Sequence, residues 1–138
     1  MEVKQKAESQ DRWERSPGFV YFIAAGAPPV AVKIGISTER DLKRRFSTIQ
    51  SSNHEPLTLL GLIPFRDGER PMLAAERAER SLHQRFAYLQ RFRNGWTGCE
   101  WFTAMPELLE FVAKEAARPD SHGLPDSLAK LGPGLECR

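Results

Sequence analysis

Apolar and polar residues alternate in two neighbouring runs near the start of the chain. Residues 19–23 are aromatic and β-branched, and residues 30–36 carry an apolar side chain at almost every second position. Gly26 and the Pro28-Pro29 pair between them are typical of a turn. The pattern predicts a β-hairpin. Its second strand should turn Val32, Ile34 and Ile36 to one face and Lys33 and Gly35 to the other.

A helical pattern follows the hairpin. Thr38 is expected to cap a helix, with Asp41 three residues later in the capping-box position. The apolar face of this helix comprises Leu42, Phe46 and Ile49. Arg45 is expected at the edge of that face, with Lys43 and Arg44 pointing away from it.

The rest of the apolar pattern predicts one more strand and two more helices. Residues 57–63 are nearly all apolar, which predicts a third strand in the centre of its sheet. Residues 72–86 lack Gly and Pro and predict a helix, and Pro106 is expected to open a last helix over 107–117. The helix over 72–86 has an apolar stripe of Met72, Ala75, Leu82 and Phe86, and the last helix should pack through Leu108, Leu109 and Val112.

These elements predict an α/β (α+β) domain, with a small three-stranded mixed or antiparallel central sheet flanked by helices. The domain should cover residues 17–117. Residues 1–16 are expected to form a flexible N-terminal tail, with Trp13 docking onto the domain. Residues 118–138 are rich in Gly, Pro, Ser and Asp and are expected to form a flexible C-terminal tail, while 95–98 should be a loop.

Length and composition narrow the class of protein. A chain of 138 residues is long enough for one modest core, and no apolar run is long enough to span a bilayer. The first 16 residues alternate charges and lack the apolar centre of a signal peptide, so we expect a cytoplasmic protein with no membrane partner. In that compartment Cys99 and Cys137 are expected to be free thiols, and two cysteines do not predict a zinc site.

Glu79 lies in the middle of the apolar stripe of its helix, and His83 follows one turn later. A carboxylate on a core-facing stripe is costly unless a partner neutralises it. Two interpretations are open from the residues alone. Glu79 either forms an ion pair with one of the many arginines or binds a cation.

The distribution of charge gives a mild indication of a nucleic-acid partner. The net charge is only +2, but five arginines fall between Arg77 and Arg93, where Glu79 is the one acid. Arginine is well suited to bidentate binding of phosphate, and a clustered basic stretch is typical of nucleic-acid-binding surfaces. A solvated helix face is the alternative interpretation.

Several short motifs occur in an order that points to a known family. They are Gly18-Phe19-Val20-Tyr21, then Lys33-Ile34-Gly35, Arg45, the segment from Glu79 to Phe86 of the form Glu-x-x-Leu-His-x-x-Phe, and Glu100-Trp101-Phe102. Over residues 17–115 the chain resembles the GIY-YIG endonuclease superfamily. More narrowly, it resembles the short phage and bacterial branch that has KIG in place of YIG and closes with EWF.

The resemblance implies a metal-dependent DNA endonuclease or nickase. Tyr21 would help to place or activate the attacking water, Arg45 would hold the phosphate, and Glu79 would bind Mg²⁺ (or Mn²⁺). Lys33 replaces the Tyr of the second motif, and it is included among the predicted catalytic residues. A cation at this position would lower the pKa of Tyr21. Ile49 stands where the wider superfamily has His or Tyr. A non-catalytic nucleic-acid-binding derivative and a protein-interaction module are the alternatives.

Further residues are candidates for supporting roles. His83 is expected either to join the site or to bond a backbone carbonyl. His54 is a candidate replacement for the group missing at Ile49, and Glu100 is a candidate second metal ligand or a surface acid. The DNA-contacting residues are predicted to be Lys43, Arg44, Arg77, Arg80 and Arg85.

Overall fold

A single antiparallel sheet organises the molecule, in a computed structural model that describes residues 2–91 and 100–118. The predicted α+β class is confirmed, but the sheet has four strands rather than three, because the segment after Glu100 pairs with the hairpin. The strands stand in the order β3-β1-β2-β4, with the ranges β1 Gly18–Ala25, β2 Ala31–Thr38, β3 Leu57–Phe65 and β4 Trp101–Thr103.

The predicted hairpin is confirmed as β1 and β2, whose register runs from Gly18 opposite Thr38 to Ala25 opposite Ala31. Gly26 follows β1 with a φ of 96°, a left-handed conformation that favours glycine. The predicted alternation also holds. Val32 and Ile34 enter the core on one face of β2, while Lys33 and Gly35 face the other side with Tyr21.

Strand β3 lies at the edge of the sheet, so the prediction of a central strand was wrong. Its apolar run has a different cause, since both of its faces are covered. Leu57, Leu59 and Leu62 join the core on one face, while Leu60 and Ile63 pack against the core on the other. Its outer edge is partly closed by Ala117, whose N–H donates to the Leu62 carbonyl at 2.8 Å.

Helices cover both faces of the sheet. On one face, Leu42 and Phe46 pack against Phe19, Tyr21 and Ile23. On the other, the apolar stripe of the central helix and the residues Leu108 and Val112 pack against the hairpin. The helices are α1 Glu2–Arg15, α2 Leu42–Ser51, α3 Pro71–Arg85 and α4 Pro106–Glu115, and Ala87–Leu89 forms a short 3-10 turn.

Helix α1 differs from the loosely ordered tail expected over residues 1–16. It packs on α3, and Trp13 docks against the core as predicted. Arg70 fixes it from the start of α3, with ion pairs to Asp11 at 3.0 Å and Glu14 at 2.7 Å. The sequence signal was weak because the anchoring partner lies far along the chain.

Two helix boundaries also differ from prediction. Helix α2 begins at Leu42, since Thr38 still belongs to β2 and its hydroxyl accepts a bond from the Asp41 N–H in the connecting turn. Helix α4 ends at Glu115, because Ala117 pairs with β3. The predicted loop over 95–98, both cysteines, Arg93 and residues 119–138 lie outside the described residues. Among the described helices, none combines the length and the apolar character needed to cross a bilayer.

Candidate active site

Tyr21 and Gly35 form the floor of the candidate site. They are directly opposite each other in β1 and β2, and the Tyr21 side chain occupies the space above Gly35. A β-carbon at position 35 would lie 2.5 Å from Cζ and 2.9 Å from Cε1 of the ring. Only glycine therefore lets the tyrosine lie across β2, with its hydroxyl directed over that strand.

Glu79 presents a buried carboxylate oxygen without a partner. It lies on α3 between Ala75 and Leu82, which are both buried. Its Oε2 atom is buried and has no hydrogen-bond partner. Burial, followed by the negative charge of Glu100, raises the pKa of Glu79 to about 7. This oxygen is the feature that a bound cation would explain, whereas pairing with an arginine would have satisfied it.

Lys33 and Glu100 form a half-buried ion pair beside Glu79 and Tyr21. Lys33 lies on the Tyr21 side of β2, and the Lys33 ammonium also sits 5.9 Å from the centre of the Trp101 ring. The Glu100 carboxylate raises the pKa of both Tyr21 and Glu79, while Lys33 lowers that of Glu79. Four charged or titratable groups from four different segments thus influence one another at this place.

Arg45 reaches the same region from α2. Its charge lowers the pKa of Tyr21, whereas the charge of Glu79 raises it. Arg45 is exposed and lines a surface cleft of about 360 Å³ with Asp41, Arg44 and Thr48. Tyr21 therefore lies within electrostatic reach of both Arg45 and Glu79, although these two belong to helices that pack on different faces of the sheet.

The pKa of Tyr21 is shifted in the direction opposite to the one expected from the sequence. Burial, and then the Glu100 carboxylate, raise the pKa of the phenol well above its usual range. Lys33 was expected to lower that pKa, but its charge is balanced by Glu100. Tyr21 is consequently a neutral phenol near neutral pH, which can donate one hydrogen bond and accept another.

The donor set fits a hard divalent cation at Glu79. Within residues 2–91 and 100–118, no group of three or more His, Cys, Asp or Glu side chains is arranged to hold a metal. Mg²⁺ commonly binds one or two carboxylates and keeps several waters. The unpartnered oxygen of Glu79 supplies one such carboxylate, and Glu100, whose charge acts on Glu79, is a candidate second one that Lys33 already engages.

The two histidines occupy different environments. His83 Nε2 donates to the Ile34 carbonyl at 2.9 Å and its ring packs on Phe102, so the backbone-bonding interpretation holds. It thereby ties α3 to β2 one turn beyond Glu79. His54 lies in the loop after α2 with 94% of its side chain exposed, 3.9 Å from Glu55. Within the described part of the chain, no contact brings His54 to the Tyr21 site.

The predicted DNA-contacting residues are spread over two helices. Arg44 is exposed on α2, beside Arg45, as is Lys43. Arg77 and Arg80 are exposed on α3, and Arg80 lies 3.9 Å from Glu76. Arg85 is exposed as well, but its guanidinium stacks 4.7 Å from the Phe111 ring centre. The α2 group adjoins the site through Arg45, whose charge acts on Tyr21, and Arg80 adjoins it from α3, where its charge acts on Glu79.

Two features of the site were not predicted from sequence. Gly35 is predicted to share a face of the strand with Lys33 and belongs to the Lys33-Ile34-Gly35 motif, but neither observation shows that its missing side chain determines where the Tyr21 ring lies. The pairing of Lys33 with Glu100 joins residues 67 positions apart. The signal for Gly35 was available, since a glycine inside an alternating strand often marks a close approach by another group.

Comparison with known proteins gives one match. The family model described as the T5orf172 domain matches residues 18–117. That range includes all four strands, helices α2 to α4 and the candidate site, and it begins after α1. Searches of curated proteins and of solved structures found no match.

Proposed function

The chain belongs to the T5orf172 domain family, and on that premise we propose that it is a metal-dependent DNA endonuclease or nickase of the GIY-YIG type. The observation that carries the proposal is the buried, unpartnered Oε2 of Glu79 beside Tyr21, Lys33 and Glu100. A protein that only bound nucleic acid would gain nothing from an unpaired carboxylate in the site that contains Tyr21 and Lys33.

Glu79 is the residue that would hold the metal, Mg²⁺ or Mn²⁺. When bound, such an ion supplies Lewis acidity to a phosphodiester and charge compensation for its leaving oxygen. Glu79 must be ionised to bind a cation, and its pKa of about 7 means that protons compete at neutral pH. Lys33 favours the ionised form, whereas Glu100 opposes it.

Arg45 is suited to bind the scissile phosphate. Its guanidinium is exposed at the cleft on α2 and always charged, and its planar fork matches two phosphoryl oxygens. Arg44 extends the positive surface along the same helix, although it also lies 3.4 Å from Asp41. The phosphate would thus be held between α2 and the floor of the site.

Tyr21 would place the attacking water rather than deprotonate it. Its pKa is raised, so the hydroxyl stays protonated near neutral pH and can accept a hydrogen bond from water while donating its own. The ring is held rigidly above Gly35, which fixes the direction of the hydroxyl. Orientation of this kind lowers the entropic cost of bringing water to the phosphorus.

Ile49 does not contribute to this chemistry. Its side chain packs against the core beside Phe46, in the position where the wider superfamily carries a titratable residue. We propose that proton transfer in this chain uses solvent instead of a residue on α2. We expect a moderate rate of cleavage, because α2 lacks a general acid–base group at this position. One such group typically accelerates a reaction about 10²-fold or more.

A plasmid-nicking assay tests the proposal. Wild-type protein and the variant Glu79→Gln are incubated with supercoiled DNA, with Mg²⁺, with Mn²⁺ and with a chelator. Wild type should nick only with metal, and the variant should be slower by about 100-fold or more, because the neutral amide is a poor ligand for a hard cation. Glu110→Gln, which neutralises an exposed carboxylate on α4, is the matched control and should behave as wild type.

Three outcomes would contradict the nuclease. Salt-sensitive DNA binding without any metal-dependent nicking would favour the non-catalytic binding derivative. Nicking that is equal in wild type and Glu79→Gln would assign the activity to a contaminant or to another site. Absence of both binding and nicking would favour a protein-interaction module.

A further inference from the structure

A groove runs between α1 and the turn that connects β2 to α2. It has a volume of about 610 Å³ and opens to solvent. Its lining is polar and basic apart from Trp13 and Pro17; the remaining lining residues are Ser9, Arg12, Ser16, Thr38, Arg40 and Asp41. One wall belongs to a helix that precedes the family-matched region, so the groove exists only because α1 docks there.

The lining of the groove contains two arginines and one acid, and two acids of α1 form ion pairs with arginines outside that lining. Asp11 pairs with Arg15 at 3.1 Å and with Arg70 at 3.0 Å. Glu14 pairs with Arg70 at 2.7 Å, on the α3 side of the helix. In residues 2–91 and 100–118, no ion pair involves Arg12, an exposed residue that lines the groove.

The opposite wall of the groove, at the turn between β2 and α2, also carries an exposed arginine. Arg40 is exposed, and no ion pair engages it in the described part of the chain. Asp41, the one acid in the lining, is within 3.4 Å of Arg44. The Thr38 hydroxyl accepts the Asp41 N–H and keeps its own proton, which it can donate to an anionic oxygen.

The groove is continuous with the cleft that contains Arg45. Asp41 lines both of them, so the groove ends where the α2 cleft begins. Arg12 and Arg40 line the groove and Arg44 and Arg45 line the adjoining cleft, so four guanidinium groups lie along these two connected depressions. A regularly spaced polyanion is the ligand that a path of separated guanidinium groups matches best.

We propose that this groove binds the backbone of the DNA substrate on one side of the scissile phosphate. The inference rests on the proposed nuclease function and extends it to a flanking subsite built by α1. Arg12 and Arg40 would contact phosphates that lie beyond the one held by Arg45. Contacts of this kind position the substrate and carry no base specificity.

Salt-dependent DNA binding is the test. Affinity of the full chain for a labelled duplex is measured by fluorescence anisotropy over a salt series, in a chelator so that cleavage does not interfere. The variants are Arg12→Gln, Arg40→Gln and their combination, and Lys114→Gln on α4 removes one exposed positive charge away from the groove. Circular dichroism confirms that each variant is folded.

Each single groove variant should weaken binding about threefold and reduce the slope of log K against log salt by about one, since one phosphate contact is lost. The double variant should lose about tenfold and about two units of slope. Arg12→Lys should keep the wild-type slope, because lysine carries the same charge and can replace arginine in a phosphate contact. Lys114→Gln should leave both quantities near the wild-type values.

The outcomes separate this inference from the function on which it rests. Groove variants that match Lys114→Gln in slope and affinity overturn the subsite, while metal- and Glu79-dependent nicking by the same preparations would leave the nuclease intact. A slope that falls as expected, in a protein that does not nick, supports the groove and overturns only the nuclease. Wild type that binds no DNA overturns both.

Discussion

The ring of Tyr21 lies over Gly35, in the place that a side chain at position 35 would occupy. The two residues are register partners in the hairpin, so the contact depends on the pairing of β1 with β2. This relationship directs a buried phenol toward the region shared by Lys33, Glu79 and Glu100. The glycine is therefore as important for the geometry of the site as the residues that would do the chemistry.

Gly35→Ala should remove most of the activity by displacing Tyr21. The new β-carbon would meet Cζ at 2.5 Å, and the ring must move because the strand backbone cannot. We expect a loss of about 1–3 kcal/mol in the free energy of unfolding, which is typical of overpacking. Nicking per folded molecule should fall at least to the level of Tyr21→Phe, which keeps the ring and removes the hydroxyl.

Gly61→Ala is the matched control for that experiment. A β-carbon at Gly61 would lie 2.9 Å from Ala116 Cβ, a milder clash than the one at Gly35, and Gly61 is on β3, where it packs against the end of α4. It should lower stability and leave nicking per folded molecule unchanged. Equal loss of activity in both glycine variants would show that the effect is a general consequence of destabilisation.

The sequence predicted the parts of the fold that depend on local periodicity. The hairpin alternation and the stripe on α3 were correct because strand and helix periods position side chains before any tertiary contact is considered. The edge position of β3 was missed because an apolar run reports only that both faces are covered. Helix α1 was missed because its anchor, Arg70, is remote in sequence.

In the candidate site too, features that depend on local sequence could be predicted, and features that depend on tertiary contacts could not. Glu79 stood out in sequence because a charge on an apolar stripe violates a local rule. The Lys33–Glu100 pair could not be predicted, since it depends on the short strand β4 joining β2. The ionisation of Tyr21 followed from that pairing and from burial, and both are tertiary properties.

Glu79→Gln should make the metal-free protein more stable at alkaline pH. The pKa of Glu79 is about 7 in the folded state and 4.5 ordinarily. As pH rises, the unfolded chain therefore releases this proton at a lower pH than the folded chain does. Stability of the wild type is therefore lost as pH rises between these two values, and the loss is complete above the higher one. Above about pH 8 the variant should be more stable by about 1 kcal/mol, allowing for the partial exposure of the group. Near pH 4.5 the difference should vanish.

Urea unfolding at several pH values, with and without Mg²⁺, measures this effect. Mg²⁺ should raise the stability of the wild type at alkaline pH and have little effect on Glu79→Gln, since a ligand stabilises only the state that binds it. A variant that is several kcal/mol less stable than wild type at every pH would instead show that Glu79 belongs to a structural ion pair.

His83→Phe should loosen the contact between α3 and β2. The phenyl ring can keep the packing on Phe102, but the Ile34 carbonyl loses the bond of 2.9 Å from Nε2. An unsatisfied buried carbonyl costs about 1–3 kcal/mol, which thermal unfolding would detect. Because Glu79 lies one turn away on α3, the concentration of Mg²⁺ required for half-maximal nicking should increase. A variant with lower stability but an unchanged Mg²⁺ requirement would limit His83 to a structural role.

Glu100→Gln and Lys33→Met should move the pH profile of nicking in opposite directions. Activity requires ionised Glu79, so the rate at subsaturating Mg²⁺ should rise with pH through a step governed by the pKa of that group. Glu100 raises this pKa, and its neutralisation should move the step to lower pH. Lys33 lowers it, so Lys33→Met should move the step to higher pH.

The opposite signs make the comparison of these two variants informative. Each breaks the same ion pair, so a merely structural role of the pair predicts the same direction of change for both. Rates measured across the pH range at a fixed low Mg²⁺ concentration distinguish the two cases, and Glu110→Gln, distant on α4, should leave the step in place. If both variants move the step in the same direction, the pKa of Glu79 does not determine the pH at which nicking rises. Opposite shifts would identify Lys33 and Glu100 as the groups that adjust the metal ligand to neutral pH.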